Sequence, residues 1–410
     1  MIRADLEALD RADPLAPFRD LFTLPEGVID LDGNSLGALP RGTGPRVAEV
    51  IAQEWGNGLI RSWNDAGWIE MSARVADKIA RVIGASPGTV AVGDSTSVNL
   101  FKLLAAALKM RPGRHVIVSE RTNFPTDLYV AEGLAALLAQ GHELRLVDAD
   151  AIHAALQPDV AVLMLTHVNY RTGAMHDMPA VTRAAHEAGA LMLWDLAHST
   201  GAVPLDLAGA DPDFAVGCGY KYLNGGPGAP AFLHVAERLH ATARYPITGW
   251  LGHADPFAFE PAYRAAPGIA GAVVGTPSIL AMAALEVGVD IVLQAPMPAV
   301  YAKSQRQTEI FAALVAEQCP DMGFTLVTPP DAATRGSQVS FTHQNAYAIM
   351  QALIARGVIG DFRAPDILRF GFTPLYIGFA ELWDAVRILR DVMLSGEWNT
   401  ERFRTRQKVT

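Results

Sequence analysis

Between residues 86 and 235 the chain alternates short apolar runs with longer stretches in which apolar positions return every three or four residues. The first pattern belongs to strands buried on both faces, the second to helices laid on a sheet. Runs at 89–92, 115–119, 144–147, 160–166, 190–194 and 214–218 predict strands. Helices are expected over 98–110, from just past 127 to near Gly141, and over 179–189, where glycine closes the segment. Such an order predicts an α/β fold whose large domain is a mostly parallel sheet flanked by helices, with ligands outside the carboxyl ends of the strands.

The pattern differs on either side. Amphipathic helices are expected over 46–55 and 70–83, with a loop at 61–68 that carries Trp63 and Trp68. Residues 240–280 are rich in turn formers and read as irregular. From about residue 299 a long helix, strands at 324–327, 337–341 and 368–372, and helices at 345–356 and 379–394 predict a small α+β domain. The expected division is an N-terminal arm over 1–45, a large domain over 46–290 and a small C-terminal domain over 291–410.

Composition narrows the classes. Half of the 410 residues are hydrophobic, so core material is ample, and no internal repeat or low-complexity segment interrupts it. A net charge of −10 argues against a nucleic-acid partner, and the basic end (Arg402, Arg404, Arg406, Lys408) reads as a solvated tail. Two cysteines in unlike contexts, Cys218 and Cys319, exclude a disulfide framework and a multi-cysteine metal site, so a reducing cytoplasm and no metal are expected. Met1–Asp5 is charged rather than apolar, and no run is long enough to cross a bilayer, so a soluble protein without a membrane partner is expected.

Two polar residues stand where hydrophobic strands end. Asp195 closes the 190–194 run, with His198 three residues on, and Lys221 follows the 214–218 run beside Tyr220, Gly219 breaking the alternation so that both side chains can face one cavity. Alone, the acid is an ordinary helix cap and the lysine a solvated loop charge. Together they match the demands of pyridoxal phosphate, whose aldehyde takes a lysine amine and whose ring nitrogen is kept protonated by an acid. Thr96 and Ser97 open a helix directly after a strand, where unpaired N–H groups seat a phosphate, although a plain N-cap reads the same way. Phe124 offers a face for a flat ring. Thr96, Phe124, Thr166, Asp195 and Lys221 all fall at the expected ligand edge. Arg369 interrupts an apolar strand, which calls for an anionic partner, either a substrate carboxylate or a structural acid. The 30–37 segment, D-L-D-G-N-S-L-G, is a substrate-facing arm or an ordinary loop.

At these residues the chain resembles the kynureninases, of the aspartate-aminotransferase-type (fold type I) superfamily of pyridoxal-phosphate enzymes. The stretches that carry the resemblance are D-G-N-S-L-G (32–37), T-S-V-N-L (96–100), N-F-P-T-D (123–127), Y-R-T-G (170–173), W-D-L-A-H-S-T-G (194–201), Y-K-Y-L-N-G-G-P-G (220–228), G-W-L-G-H (249–253) and G-T-P-S-I-L (275–280). The resemblance implies hydrolytic Cβ–Cγ cleavage of L-kynurenine to anthranilate and L-alanine in tryptophan catabolism. It further implies that Lys221 holds the cofactor, Asp195 pairs with the ring nitrogen and His198 supports that region. Thr96, Ser97 and Tyr220 would meet the phosphate, and Phe124, Pro125, Thr126, Asp127 and Thr166 the ring and its polar edge. Trp250 and Thr276 would reach the phosphate from the second subunit of a homodimer with shared active sites. Arg369 would take the substrate α-carboxylate, with Asn34, Ser35 and Trp63 near the aryl ketone, and Lys221, Tyr220 and Asp195 would carry the chemistry. Thr276 and Trp63 stand where vertebrate members carry asparagine and histidine, which implies a preference for kynurenine over its 3-hydroxy form. The competing readings are a cysteine desulfurase or class V aminotransferase on the same cofactor, which for a desulfurase needs a mobile cysteine, and a non-catalytic binding protein, which would have no use for Lys221 and Asp195 together.

Overall fold

A computed structural model describes residues 1–407, so Lys408 of the basic end lies outside the described residues. The large sheet has seven strands: β1 (Val90–Val92), β2 (Val116–Glu120), β3 (Glu143–Val147), β4 (Val160–Thr166), β5 (Leu191–Asp195), β6 (Phe214–Gly217) and β7 (Phe232–Val235). Their spatial order is β1-β7-β6-β5-β4-β2-β3. Strands β2 to β6 pair in parallel. Only β7 runs the other way, antiparallel to both β1 and β6. Two reversals cancel, so β1 points the same way as β6 and delivers the following helix, Thr96–Met110, to the common carboxyl edge.

The alternation of the runs is the alternation of the faces. Met192 and Trp194 of β5 pack with Val75 and Ile79 on one side of the sheet. Leu191 and Leu193 pack with Leu103 and Leu104 on the other. Both faces are covered, which is why the central strands β4, β5 and β6 are apolar nearly throughout, while the edge strand β3 carries Glu143 and Arg145.

The sequence reading passed over β7 and the buried Ile279–Gln294 helix. That helix is apolar except for one narrow stripe, Glu286, Asp290 and Gln294, so its period is only faintly marked in the sequence. Its Gly288 lies against the backbone after Lys221: a Cβ there would stand 2.1 Å from the Leu223 carbonyl oxygen. The expected 46–55 helix exists but changes pitch, from α over Thr43–Glu49 to π over Val50–Gly58. The 61–68 segment is not a loop; it contains a short helix, Ser62–Asp65, and Trp68 opens the helix Trp68–Val82.

In the C-terminal part, β8 (Thr325–Leu326), β9 (Gln338–Thr342), β10 (Asp361–Arg363) and β11 (Ile367–Gly371) form an antiparallel sheet in the order β8-β9-β11-β10. The Met297–Gln318, Ala346–Ala355 and Phe379–Ser395 helices pack on it. Leu6, Leu15, Phe22 and Leu31 of the N-terminal segment share this core with Val339, Phe370 and Leu389. Ile29–Asp30 pairs in parallel with Val358–Ile359. The Asp10 carboxylate accepts from the N–H groups of Phe379 (2.6 Å) and Ala380 (2.9 Å), capping a helix 369 residues away in sequence. Asp10→Ala is expected to destabilise this region by about 1 kcal/mol, the usual worth of an N-cap, read as a lowered thermal midpoint.

Candidate active site

At the carboxyl edge of the large sheet a cavity of about 230 Å³ is lined by Thr96, Ser97, Phe124, Thr126, Asp127, Thr166, Asp195, His198, Tyr220 and Lys221. Thr166 and Asp195 are register partners on β4 and β5, so the two last side chains of these strands stand side by side. The helix Thr96–Met110 points its first turn into the same space, with Ser95 as N-cap accepting from the Val98 N–H at 3.4 Å.

The lysine is placed by a tight loop after β6. Asn224 N–H donates to the Lys221 carbonyl (2.9 Å), and Gly37 N–H donates to the Tyr220 carbonyl (2.9 Å), which ties the N-terminal segment to the lysine. A side chain at Gly37 would meet the Lys221 carbonyl oxygen at 2.3 Å, so only glycine lets this segment pass.

Lys221 Nζ lies 2.9 Å from His198 Nε2 and about 6 Å from the ring centroids of Phe124 (6.0 Å) and Tyr220 (5.9 Å). Burial pushes the Lys221 ammonium below its ordinary range, and the positive charges of Arg369 and Arg363 act in the same direction. Burial and the same three cations hold His198 well below the usual imidazole value. A neutral His198 whose Nε2 accepts from Lys221 carries its proton on Nδ1, a buried atom with no hydrogen-bond partner. Asp195 is 3 % exposed, accepts from Ala197 N–H at 2.7 Å, and is raised by burial, with Lys221 opposing. Asp127, fully enclosed beside it, is raised well above the ordinary carboxylate by burial and by the Asp195 charge. Two buried acids side by side resist ionising together, and burial raises both. Thr166 Oγ1 donates to Asn123 Oδ1 and reaches Asp127 Oδ2 at 3.4 Å. Burial also raises the Tyr220 hydroxyl, which stays protonated.

The donor set fits pyridoxal phosphate. A desolvated amine, a buried carboxylate without an ion-pair partner among the described residues, an orphaned histidine nitrogen and a hydroxyl-rich helix start converge on one ring-sized space.

Not every expected residue lies there. Pro125 opens the helix beside Phe124 without lining the cavity. Trp63 packs edge-on against Trp68, with ring centroids 6.2 Å apart, and lies outside the cavity lining. Trp250 is exposed and meets Phe257 edge-on at 5.7 Å, while exposed Thr276 lines a neighbouring cavity of about 390 Å³ that shares Asp94 and Gly228 with the first. Asn34, Ser35 and Arg369 form a cluster of their own. Arg369 Nη2 donates to Asp361 Oδ2 (2.6 Å) and Ser35 Oγ (2.5 Å), and Nη1 to the Tyr170 carbonyl (3.0 Å). Asn34, with its amide turned to suit its neighbours, donates to Asp32 Oδ1 (3.1 Å) and accepts from Arg369 Nε (3.3 Å). Tyr170 joins this cluster to the cavity, its ring edge-on to Phe124 at 5.1 Å.

Two "Kynureninase" proteins, of Burkholderia pseudomallei (strain 1106a) and Pseudomonas fluorescens, are 56% and 54% identical to the chain, each over 100% of it and 99% of their own length. The chain belongs to the kynureninase family. A family model described as "Kynureninase C-terminal domain" matches residues 300–389, and one for the DegT/DnrJ/EryC1/StrS aminotransferase family matches 57–211. Among solved structures, the apo cysteine desulfurase of Thermococcus onnurineus NA1 superposes with a TM-score of 0.79 at 16% identity, over 92% of this chain and 98% of that one. A variant of C-DES with glycine covalently linked to its PLP cofactor gives 0.81 at 17% identity, over 91% and 99%. These two likenesses establish the fold, that of the fold type I pyridoxal-phosphate enzymes. Kynureninase membership, not the desulfurase alternative, follows from the full-length relatives. The thiols agree: Cys218 and Cys319 are 3 % and 4 % exposed, and burial raises both, leaving no mobile nucleophile.

Asp32, Tyr170, Asp361 and Arg363 were not singled out from the sequence as site residues. A signal for the last two existed. Asp361-x-Arg363 has strand alternation, and the turn at Ala364-Pro365-Asp366 folds it back so that Asp361 stands opposite Arg369 in register.

Proposed function

We propose that this chain is a pyridoxal-phosphate hydrolase that cleaves the Cβ–Cγ bond of L-kynurenine, giving anthranilate and L-alanine. Full-length identity above half to proteins named kynureninase carries this reading. The cavity supports it, because an amine and an acid from separate strands meet there beside a helix start.

Lys221 would hold the cofactor through its amine, Asp195 its ring nitrogen, and Thr96, Ser97 and Tyr220 its phosphate, with Phe124 against the ring and Thr126, Asp127, Thr166 and His198 around it. Bound there, pyridoxal phosphate supplies an electron sink that stabilises negative charge at the substrate Cα. Once the substrate's own amine has taken its place on the cofactor, the freed Lys221 amine, its ammonium weakened by burial, would take the proton from Cα and return one. His198 Nε2 holds that amine in place. Tyr220, kept protonated by burial, would donate at the γ-oxygen as water attacks the γ-carbonyl carbon, recover that proton when the hydrate collapses and the Cβ–Cγ bond breaks, and pass it to Cβ. Arg369 would receive the α-carboxylate, beside Asn34 and Ser35.

Tyr220→Phe is expected to retain the cofactor and lose turnover by about 10²-fold, the scale of a missing proton donor. Unchanged kcat would remove Tyr220 from the chemistry.

The homodimer is part of the same proposal. Exposed Trp250 and Thr276, outside the cavity of their own protomer, suit a role at a partner's phosphate. So is the division at 45/46 and 290/291, with the first segment riding on the core of the third. A cytoplasmic location and a place in tryptophan catabolism complete the proposal. No single helix among the described residues is long and apolar enough to cross a membrane; Ile279–Gln294 and Met297–Gln318 pass only as a pair bent by 87°.

A further inference from the structure

The cluster about Arg369 contains a second guanidinium that the proposed function leaves unused. Arg363 on β10 and Arg369 on β11 both bind Asp361 Oδ2, at 2.5 and 2.6 Å. Ser35 Oγ lies between them, 3.5 Å from Arg363 Nη2 and 2.5 Å from Arg369 Nη2. The two arginines are unlike in what they have left to give. Arg369, 1 % exposed, has Nη2 engaged by Asp361 and Ser35 and one Nη1 hydrogen by the Tyr170 carbonyl, which leaves the second Nη1 hydrogen for a ligand. Arg363 is 33 % exposed, and its Nε is enclosed without a hydrogen-bond partner among the described residues.

Arg363 is linked to the cavity through Tyr170, and its charge is felt at Lys221. Its guanidinium carbon stands 6.0 Å from the Tyr170 ring centroid, and that ring abuts Phe124 of the cavity wall. The charges do not balance. Two guanidinium groups face Asp361 and Asp32, and burial pushes Asp32 up to about 7, so it supplies only part of a second negative charge. One incoming carboxylate would complete the neutralisation.

We propose that Arg363 is a second substrate-binding arginine: the α-carboxylate docks between Arg363 and Arg369, taking the donors that Arg363 has free. Asp361 holds the two guanidinium groups together against their repulsion. This deepens the proposed function and rests on its amino-acid substrate. The competing role is structural, with Arg363 serving only to neutralise Asp361 and so to position Arg369.

The test is steady-state kinetics of the cofactor-loaded enzyme on L-kynurenine for Arg363→Gln, Arg363→Lys, Arg369→Gln and the double Gln variant. It is paired with inhibition by the decarboxylated analogue of kynurenine, which keeps the amine and aryl ketone. Arg363→Gln should raise KM by about 10-fold or more, the scale of a charge-assisted hydrogen bond, with kcat within about threefold. Arg363→Lys should recover much of the loss. The inhibition constant of the decarboxylated analogue should not move, and Arg363→Gln should still raise KM when Arg369 is already glutamine. Equal losses for both ligands, or no effect of Arg363→Gln in the Arg369→Gln background, would assign Arg363 the structural role and overturn the inference. If the unaltered chain does not cleave kynurenine, the proposed function fails and this inference with it; if it does and Arg363→Gln keeps its KM, only the inference fails.

Discussion

Lys221→Ala is expected to leave a folded protein with turnover reduced by about 10⁴-fold or more, at the upper end of what one acid–base group supplies. The visible absorbance of the lysine-linked cofactor should vanish with it. Folding should survive because, among the described residues, the amine's hydrogen-bond partner is His198 alone, while the loop is held by backbone bonds from Asn224 and Gly37 that alanine keeps. Circular dichroism like that of the unaltered chain, together with lost absorbance and lost turnover, is the predicted combination. Retained absorbance with normal turnover would place the cofactor elsewhere.

Asp195→Ala carries the second largest effect, about 10³-fold in kcat, the scale of removing one preorganised electrostatic partner from a water-excluded site. Asp195→Asn is the sharper variant. The amide oxygen can still accept from Ala197 N–H, so the strand end is preserved while the charge is lost. If Asn matched the unaltered rate, the charge would be irrelevant and Asp195 would be a cap, the bland reading its sequence position also permits.

The large sheet was legible because strands buried on both faces are written as unbroken apolar runs, and β4, Val160–Thr166, was bounded to the residue. β7 was not, since four residues after the glycine-rich 225–230 segment look like the tail of a loop. The helix Ile279–Gln294 escaped for the opposite reason, its polar face being a single narrow stripe of Glu286, Asp290 and Gln294 in an otherwise apolar run. Thr96, Phe124, Thr166, Asp195 and Lys221 were gathered by one rule, that ligands sit at the carboxyl edge, and all five line the same cavity. The Arg369 cluster was only half legible. An arginine in an apolar strand announces a partner, but its partners come from 32–35, 170 and 361, and no local pattern joins segments so far apart. Trp63, Trp250 and Thr276 rest on resemblance alone, because nothing within one protomer brings them to the cavity.

The most direct measurement is to load the purified protein with pyridoxal phosphate, add L-kynurenine and follow anthranilate fluorescence while L-alanine is quantified. Anthranilate and alanine appearing in equal amounts, and only with cofactor and Lys221 present, is the predicted result. Loaded protein that yields no anthranilate, or that instead releases sulfide and alanine from cysteine, would contradict it.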